Sequence, residues 1–254
     1  MVFVSKKVIK GKARYYLEKS VRLPNATVKK FSVYLKDYEP KSGLKGRDGC
    51  IALLNAKVRA AVINHAAEFY TKSGIFGSSV IKRLEEVRLA YNELRKKISK
   101  KQLQDVIDRF TVNFTYETNA IEGNSLTLKD VAIVLHEKKA IEGKDLREIY
   151  EALNTREAMQ LIFNNKLKII EDETIKLHKI LVRNTGVAFG YKTLPNFLLG
   201  RDTQTTPPEK VDEKMNELIK WYQDSKEMHP LERAAVFHGR FESIHPFEDG
   251  NGRV

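Results

Sequence analysis

A helical repeat of apolar residues constrains the fold of this chain more than any other feature. In one stretch these residues recur at spacings of 4, 3, 4, 3 and 4, which places them on one stripe of a long α-helix. The members of the stripe are Val80, Leu84, Val87, Tyr91, Leu94 and Ile98. We interpret this stripe as part of the core or as a seam that pairs with another helix.

Periodicity and capping residues predict further helices through most of the remaining chain. One helix runs from about Lys101 towards Ile121, and Gly123 ends it as a C-terminal glycine does. The pattern Thr127-x-x-Asp130 is a capping box that starts the next helix. Other helices are expected over 144–163, 172–184, 209–223 and 231–243. The chain is therefore predicted to be mainly α.

Two parts of the chain lack this helical pattern. Residues 2–35 contain three runs rich in aromatic and β-branched residues, separated by turn residues, and they predict a small antiparallel β-meander. Residues 187–206 contain two glycines, several aromatics and a central Pro195, and they predict a β-hairpin inserted between helices. The glycine-rich stretch 39–49 is the best candidate for a linker.

Composition excludes several classes of protein. No apolar run approaches the roughly 20 residues of a membrane helix. Lysines interrupt the N-terminal segment MVFVSKKVIK, where a signal peptide needs an apolar core. The single cysteine, Cys50, cannot form an internal disulfide. We therefore expect a cytoplasmic protein without a membrane partner.

The positive charge is concentrated at the N-terminus. The formal net charge is +12, and residues 1–50 alone, with 13 Lys and Arg against 4 Asp and Glu, carry +9. Together with the aromatics Tyr15, Tyr16, Phe31 and Tyr34, this charge is compatible with nucleic-acid binding. No recognised base-reading motif accompanies it, so we favour a small packing or dimerisation unit with a solvated basic face.

The segment HPFEDGNGRV, residues 245–254, has the composition of a phosphate-binding loop. Gly250 and Gly252 allow the backbone to approach an anion closely, and consecutive amides there can form a concave anion site. Asp249 is a hard oxygen ligand that suits Mg²⁺, and Arg253 offers a planar fork for phosphate. His245 can accept a proton near neutral pH.

Two other metal sites are excluded by the spacing of the same residues. A calcium loop needs an oxygen ligand and a glycine where the chain has Arg253 and Val254. A zinc hydrolase motif starting at His136-Glu137 lacks its second histidine at position 140.

Taken as a whole, the loop resembles the signature of the Fic family, His-x-Phe-x-Asp/Glu-Gly-Asn-Gly-Arg-x-x-Arg. The matching residues are His245, Phe247, Asp249, Gly250, Asn251, Gly252 and Arg253. The stretches GYKTLPNFLLG, TPPEKVDEKMNEL and HPLERAAVFHGRFESI look like the family's hairpin flap, the helix after it and the helix that leads into the motif. The resemblance covers roughly residues 105–254.

This resemblance implies a protein adenylyltransferase, which moves AMP from ATP to a Ser, Thr or Tyr hydroxyl of a protein or of itself, with Mg²⁺. By similarity, His245 deprotonates the acceptor hydroxyl and Asp249 holds the metal. Gly250 to Gly252 cradle the α- and β-phosphates, and Asn251 and Arg253 stabilise charge in the transition state.

The resemblance also implies the fold, a Fic-type helical bundle with a β-hairpin flap. Phe247 anchors the loop in the core, and the flap clamps ATP and lays the target strand beside it. The flap residues expected to do so are Leu199, Gly200, Arg201 and Asp202. The predicted division is a basic β-meander over 1–40, a linker and long helices over 41–104, and a Fic domain over 105–254.

The chain departs from the family pattern at its end. The second arginine of the signature falls at position 256, beyond Val254, and the helix that supports the phosphates is also missing. We expect the Fic domain to be incomplete at its C-terminus and the chain as it stands to have impaired activity.

A second Fic feature precedes the core. The pattern Thr118-x-x-x-Glu122-Gly123 resembles the family's inhibitory motif, placed upstream as in one subclass. It implies that Glu122 reaches the phosphate pocket and pairs with the second arginine, so that ATP binds in an unproductive position.

Other functions stay open. The enzyme could remove AMP from a modified protein, with Glu122 positioning water, or the chain could be an inactive binding module. A kinase-like branch of the fold carries lysine in place of Gly252, which disfavours phosphate transfer. A homodimer is possible, and the target protein is not identified.

Overall fold

The computed structural model describes residues 2–36, 38, 43–44, 47–71, 74–196 and 205–254. It is mainly helical, with a small N-terminal sheet, as predicted. The chain divides into two compact units, one of residues 1–97 with 226–232 and the other of residues 98–225 with 233–254. The predicted domain boundaries stay a prediction.

The first unit begins with the predicted antiparallel meander. Its strands are β1 (Val2–Ile9), β2 (Lys12–Arg22) and β3 (Val28–Leu35), in the order β1-β2-β3. In the register, Tyr16 lies opposite both Ser5 of β1 and Tyr34 of β3. Because side chains alternate between the two faces of a strand, this register sorts the residues of the meander into two sets.

Two helices follow in this unit, α1 (Asp48–Tyr70) and α2 (Ser78–Lys97). One face of the sheet packs on α1 through buried aliphatic side chains. These are Leu17, Leu23, Val33 and Leu35 of the sheet region and Leu54, Val58 and Val62 of α1. Helix α1 begins inside the predicted linker 39–49, most of which lies outside the described residues.

Four of the six residues of the predicted apolar stripe lie outside the core, contrary to one of our two interpretations, and Leu84 and Ile98 are half-buried. Val80, Val87, Tyr91 and Leu94 are each between 44% and 63% exposed. The buried positions of α2 are Ile81 and Glu85, and Ile81 packs against α1. A helix can bury only the face that meets its neighbour, and here this face lies beside the predicted stripe. Pairing of the stripe with another helix stays a prediction.

The second unit contains five complete α-helices within its described residues and all but the first three residues of a sixth, α8. They are α3 (Lys100–Ile121), α4 (Leu128–Glu137), α5 (Leu146–Phe163), α6 (Glu171–Leu181), α7 (Val211–Asp224) and α8 (Pro230–Ile244). Each was predicted to within about two or three residues at most ends. Gly123 follows α3 with φ +91°, and Thr127 and Asp130 form the expected capping box.

Two buried clusters hold the functional end of this unit together. One joins α7 to α8 and to the chain after α8 through Val211, Met215, Phe241 and Phe247. The other joins α5 to α6 through Ala158, Leu177 and Leu181. The segment after α8 is therefore attached to the core at Phe247.

Residues 197–204 of the predicted hairpin over 187–206 lie outside the described residues. On its described N-terminal side, Tyr191 forms one antiparallel bridge with Phe247. The flap itself, including Leu199, Gly200, Arg201 and Asp202, stays a prediction.

We searched the described helices for a membrane span and found none that is both long and apolar enough.

The contact between sheet and α1 makes a stability prediction with a matched control. Leu54 is fully buried, whereas its neighbour Leu53 is 49% exposed. Leu54→Ala should lower the free energy of unfolding by about 2–5 kcal/mol, because it loses apolar burial and leaves a cavity. Leu53→Ala should change it by about 0.5 kcal/mol or less. Urea unfolding followed by circular dichroism measures both, and equal effects would contradict this packing.

Candidate functional site

A left-handed backbone conformation at His245 begins the loop. Helix α8 ends at Ile244, and His245 takes φ +51° while its N–H donates to Phe241 O at 2.8 Å. A residue in the left-handed region stops the helix and turns the chain back on itself. Gly250 repeats this with φ +77°, a conformation that favours glycine.

Phe247 anchors the loop as predicted. Its side chain is fully buried and stacks on His178 of α6, with ring centroids 3.8 Å apart and planes within 7°. The two hydrogen-bonding groups beside the His178 ring are Asp249 O, 3.0 Å from Nε2, and the Gly190 N–H, 3.2 Å from Nδ1. Because Gly190 donates to Nδ1, the proton lies on Nε2, which donates to the loop carbonyl.

Burial lowers the pKa of His178 and keeps the imidazole neutral, as its acceptor nitrogen requires. The sequence analysis did not identify His178. Its only signal there was a histidine within the predicted helix 172–184, which does not distinguish it from any surface histidine.

Asn251 is a structural clamp in this loop. Its carboxamide accepts from the Phe247 N–H and donates to Phe247 O, each at 2.9 Å, and the residue is 3% exposed. Asn196 also donates to Phe247 O, at 2.8 Å. Both ends of the Asn251 side chain are thus used within the loop.

Arg253 is a buried cation surrounded by carboxylates. Its side chain is 2% exposed and forms an ion pair with Glu122 at the end of α3. It also lies 3.6 Å from Glu151 of α5 and 3.3 Å from Asp249 of the loop. Three separate chain segments therefore place negative charge around one guanidinium.

Glu122 lies directly over the loop. Its side chain is 20% exposed, and a Cβ added at Gly252 would lie 3.0 Å from Glu122 Oε1. Burial raises the pKa of Glu122, nearby Asp249 raises it further, and Arg253 acts in the opposite direction. The predicted pairing of Glu122 with an arginine at position 256 stays a prediction, and among the described residues Glu122 pairs with Arg253.

The remaining residues of the upstream motif occupy the end of the same helix. Glu122 is the C-cap residue directly after α3, and Gly123 follows it in the left-handed region. Thr118 lies one turn earlier and is half-buried. Asn124 continues the chain and donates to Glu151 Oε2 at 2.9 Å, which ties the end of α3 to α5.

Asp249 is engaged by arginine and by the loop backbone. Its Oδ2 accepts from Arg147 of α5 at 2.6 Å, and its Oδ1 accepts from the Gly250 N–H at 2.6 Å. Arg147 also donates to Glu151 at 3.1 Å. Arg147 and Glu151 are further site residues that the sequence analysis missed, because only the packing of α5 brings them here.

The site fits Mg²⁺ as a one-carboxylate site. Among the described residues, no group of three or more His, Cys, Asp or Glu side chains could enclose a metal. Mg²⁺ often takes one or two carboxylates and completes its shell with phosphate and water oxygens. Asp249 retains 29% of its side-chain surface and can serve in this way once Arg147 releases it.

His245 stands at the edge of the loop with one carboxylate beside it. Its side chain is 16% exposed, and Nδ1 lies 3.7 Å from Glu242 Oε2, one turn earlier in α8. The interaction with His245 lowers the pKa of Glu242. The loop thus brings together His245, Asp249 and Arg253, while Asn251 faces inward.

Comparison with known proteins agrees with this geometry. Residues 168–254 match the Fic/DOC family. The chain is 32% identical over 149 residues to protein adenylyltransferase fic-1 of Caenorhabditis elegans, covering 56% of this chain and 29% of that protein. It is 32% identical over 147 residues to protein adenylyltransferase Fic of Nematostella vectensis, covering 55% of this chain and 34% of that protein.

A solved structure extends the similarity to the fold. The crystal structure of a Fic domain containing signaling protein from Bacteroides thetaiotaomicron aligns with a TM-score of 0.59 at 26% identity. The alignment covers 66% of this chain and 68% of that chain. The chain spans about a third of the length of the two curated relatives. Residues 168–254 of the chain are therefore similar to the Fic/DOC family.

Proposed function

We propose that this chain transfers AMP from ATP to a hydroxyl side chain of a protein, with Mg²⁺, and that Glu122 inhibits the transfer. The observation that carries the proposal is the loop 245–253, which gathers a histidine, a carboxylate and a buried arginine. The names of the relatives, which are protein adenylyltransferases, support the same reaction class.

His245 is the proposed general base. It accepts the proton of the acceptor Ser, Thr or Tyr hydroxyl as the oxygen attacks the α-phosphorus of ATP, and pyrophosphate leaves. The lowered pKa of Glu242 keeps a negative charge beside His245 that can stabilise the imidazolium formed in this step. The position of His245 at the end of α8 leaves its ring partly open to an incoming substrate.

The backbone from Gly250 to Gly252 and the Arg253 guanidinium are the proposed phosphate site. The positive charge of Arg253 is preorganised by burial, so it costs little reorganisation when charge develops on the phosphates. Asn251 contributes indirectly, since both ends of its amide hold the Phe247 backbone. The flap residues Leu199 to Asp202 remain proposed ATP contacts from family resemblance.

Asp249 is the proposed metal ligand. When bound, Mg²⁺ neutralises phosphate charge and orients the triphosphate. In the structure the Asp249 carboxylate is bonded to Arg147 at 2.6 Å, so this ion pair must open before the carboxylate can serve a metal. Arg147 is 49% exposed and can turn towards solvent or phosphate without leaving a buried charge unpaired.

Glu122 is the proposed inhibitory residue. It forms an ion pair with the Arg253 guanidinium and lies over Gly252, where a phosphate must approach the loop. A carboxylate here repels phosphate and withholds Arg253 from it. A misplacement of about 1 Å at the reacting phosphate can cost roughly a hundredfold in rate.

Removal of AMP from a modified protein is a second candidate, favoured by the position of Glu122. A partly desolvated carboxylate beside a phosphate loop can orient a water molecule for attack on phosphorus. In this reaction Glu122 assists, whereas in AMP transfer it inhibits. The two candidates therefore predict opposite effects of its removal.

The first test concerns His245. His245→Ala should abolish incorporation of label from α-³²P-ATP into protein, because the hydroxyl proton then has no acceptor. ATP affinity, measured by isothermal titration calorimetry, should stay within about twofold, since the proposed phosphate contacts do not include the imidazole. His238→Ala, on the exposed surface of α8, is the matched control. Retention of most transfer activity in His245→Ala would remove His245 from the mechanism.

The second test concerns the Asp249 carboxylate. Parent protein should bind ATP more tightly in Mg²⁺ than in EDTA, and Asp249→Asn should lose most of this difference because an amide is a weaker Mg²⁺ ligand. Arg147→Ala should lower the Mg²⁺ concentration needed for half-maximal ATP binding, since the carboxylate is then free. The readout is calorimetric binding, which does not require turnover.

Arg183→Ala is the control for the Arg147 variant. Arg183 has the same 49% exposure and pairs with a different carboxylate, Glu157, at 2.5 Å. Its removal should leave the Mg²⁺ requirement unchanged. Equal Mg²⁺ curves for Arg147→Ala and the parent would show that Arg147 does not compete with the metal.

The third test concerns Glu122. Glu122→Gly should raise incorporation of label by about tenfold or more, corresponding to about 1.4 kcal/mol of inhibition removed. The increase should occur in the chain as it stands, because the partner in the structure is Arg253. Asn164→Gly is the control for a glycine at a helix end, since Asn164 ends α5 with φ −87° and Glu122 ends α3 with φ −89°.

A pH series tests the charge of Glu122 itself. Because its pKa is raised, lowering the pH through that pKa protonates the carboxylate and removes the inhibiting charge. The rate advantage of Glu122→Gln over the parent should therefore be largest at pH about 8 and shrink as the pH falls. A pH-independent ratio would contradict inhibition by charge.

Hydrolysis of AMP from a modified protein separates the two candidate reactions. Loss of this hydrolysis in Glu122→Gly would favour AMP removal over AMP transfer.

A further inference from the structure

The N-terminal sheet has one face that the protein core does not use. Leu17, Val33 and Leu35 alternate onto one side of the sheet and are buried against α1. The side chains between them point to the other side, which we call the outer face. Its aromatic residues and three of its basic residues are Phe3, Lys7, Arg14, Tyr16, Lys30 and Tyr34.

We propose that the outer face of the sheet binds single-stranded nucleic acid, with bases on its aromatic rings and phosphates on the adjacent cations. This proposal is independent of the proposed adenylyl transfer, because every residue in it lies in the N-terminal meander.

The outer face presents three aromatic rings, one on each strand. Phe3 of β1 is 42% exposed and Tyr34 of β3 is 48% exposed. Tyr16 of β2 lies between the two other strands and is half-buried, with its ring centroid 5.4 Å from that of Tyr34. Exposed rings on adjacent strands form a surface on which successive bases can stack.

Each of these rings has its own cation. Lys7 lies 4.6 Å from the Tyr16 ring centroid, Lys30 lies 5.5 Å from that of Phe3, and Arg14 lies 5.9 Å from that of Tyr34. Stacking of bases requires ring faces, and binding of the backbone requires positive charge beside them. The sheet supplies both at the spacing of neighbouring strands.

The single carboxylate among the outer residues of β2 fixes two of these cations in place. Glu18 is fully buried, and its two oxygens lie 3.1 Å from Lys7 Nζ and 2.5 Å from Lys30 Nζ. Both lysines stay about half exposed, so Glu18 positions their ammonium groups while its own charge is hidden. With Lys12, Arg14 and Arg22 on the same side of β2, the face remains strongly positive.

Charge complementarity identifies the occupant as a polyanion, and the aromatic rings identify which one. A duplex keeps its base faces stacked inside, and an acidic peptide needs the cations but not the rings. A single strand of RNA or DNA uses both. The sequence alone favoured a solvated basic face. It could not separate core residues from outer residues, because that separation follows from the strand register.

The test is fluorescence anisotropy of the full chain with a fluorescein-labelled oligo(dT) and a matched oligo(U). We expect binding at about 50 mM salt that weakens markedly by about 200 mM, as counterion release requires. The ratio of the two affinities distinguishes DNA from RNA as the ligand. Absence of binding to both probes at the lower salt would overturn the proposal.

Paired variants separate stacking from bulk charge. Tyr16→Leu/Tyr34→Leu should weaken binding by about tenfold or more, because two stacking surfaces are lost. Tyr91→Leu is the matched control, since Tyr91 on α2 is 53% exposed with Arg95 lying 5.9 Å from its ring centroid. Equal loss in both, or no loss in the double variant, would contradict a specific platform.

Single-residue variants and competition measurements test the proposal if the double variant folds poorly. Arg14→Ala removes an exposed cation and should also weaken binding and lower its salt dependence, whereas Lys82→Ala on α2 should not. Competition by duplex DNA or by poly-glutamate should be much weaker than by the unlabelled single strand. Equal competition by either would replace the single strand with that ligand.

Discussion

The buried guanidinium of Arg253 is the interaction on which the site depends. Its side chain is 2% exposed, and an unpaired charge at that depth would cost several kcal/mol. Glu122, Glu151 and Asp249 supply the compensating charge from α3, α5 and the loop itself. The end of α3, the N-terminal half of α5 and the loop must therefore meet for this buried charge to be compensated.

Phosphate binding, metal binding and inhibition by Glu122, all three proposed, depend on the same group of charged residues. Arg253 is shared between phosphate binding and the Glu122 contact, and Asp249 is shared between the metal and Arg147. In the proposed mechanism, a phosphate replaces Glu122 beside Arg253, and a metal ion replaces Arg147 beside Asp249. In both cases the incoming group has the same sign of charge as the side chain that it replaces. In the proposed mechanism, binding of Mg²⁺ and ATP would compete with these contacts, which would give the proposed inhibition a direct physical basis.

A second set of contacts holds the loop beneath this network. His178 stacks on Phe247 and bonds to Asp249 O, while Asn251 bonds to both backbone groups of Phe247. These contacts use neutral groups in the interior, where satisfied hydrogen bonds are strong. Charges can therefore rearrange above the loop without disturbing its backbone.

The sequence by itself determined the helices, the meander and the residues of the loop. Local signals carried these predictions, namely apolar periodicity, the Thr127 to Asp130 capping box and the glycine after α3. The identity of the loop residues, from His245 to Arg253, also needed no tertiary information. Segments of this kind depend on interactions within a few residues of each other, which a single sequence records.

Only the tertiary structure decided which residues meet. It placed Arg147 on Asp249, His178 under Phe247 and Glu122 on Arg253, and these pairs are separated by between 69 and 131 positions in the chain. It also showed that most of the stripe predicted on α2 is exposed and that Lys7, Arg14, Tyr16 and Tyr34 of the meander share one face of the sheet. Periodicity identifies a face of a helix or strand, but the neighbour that covers this face is set by packing between distant segments.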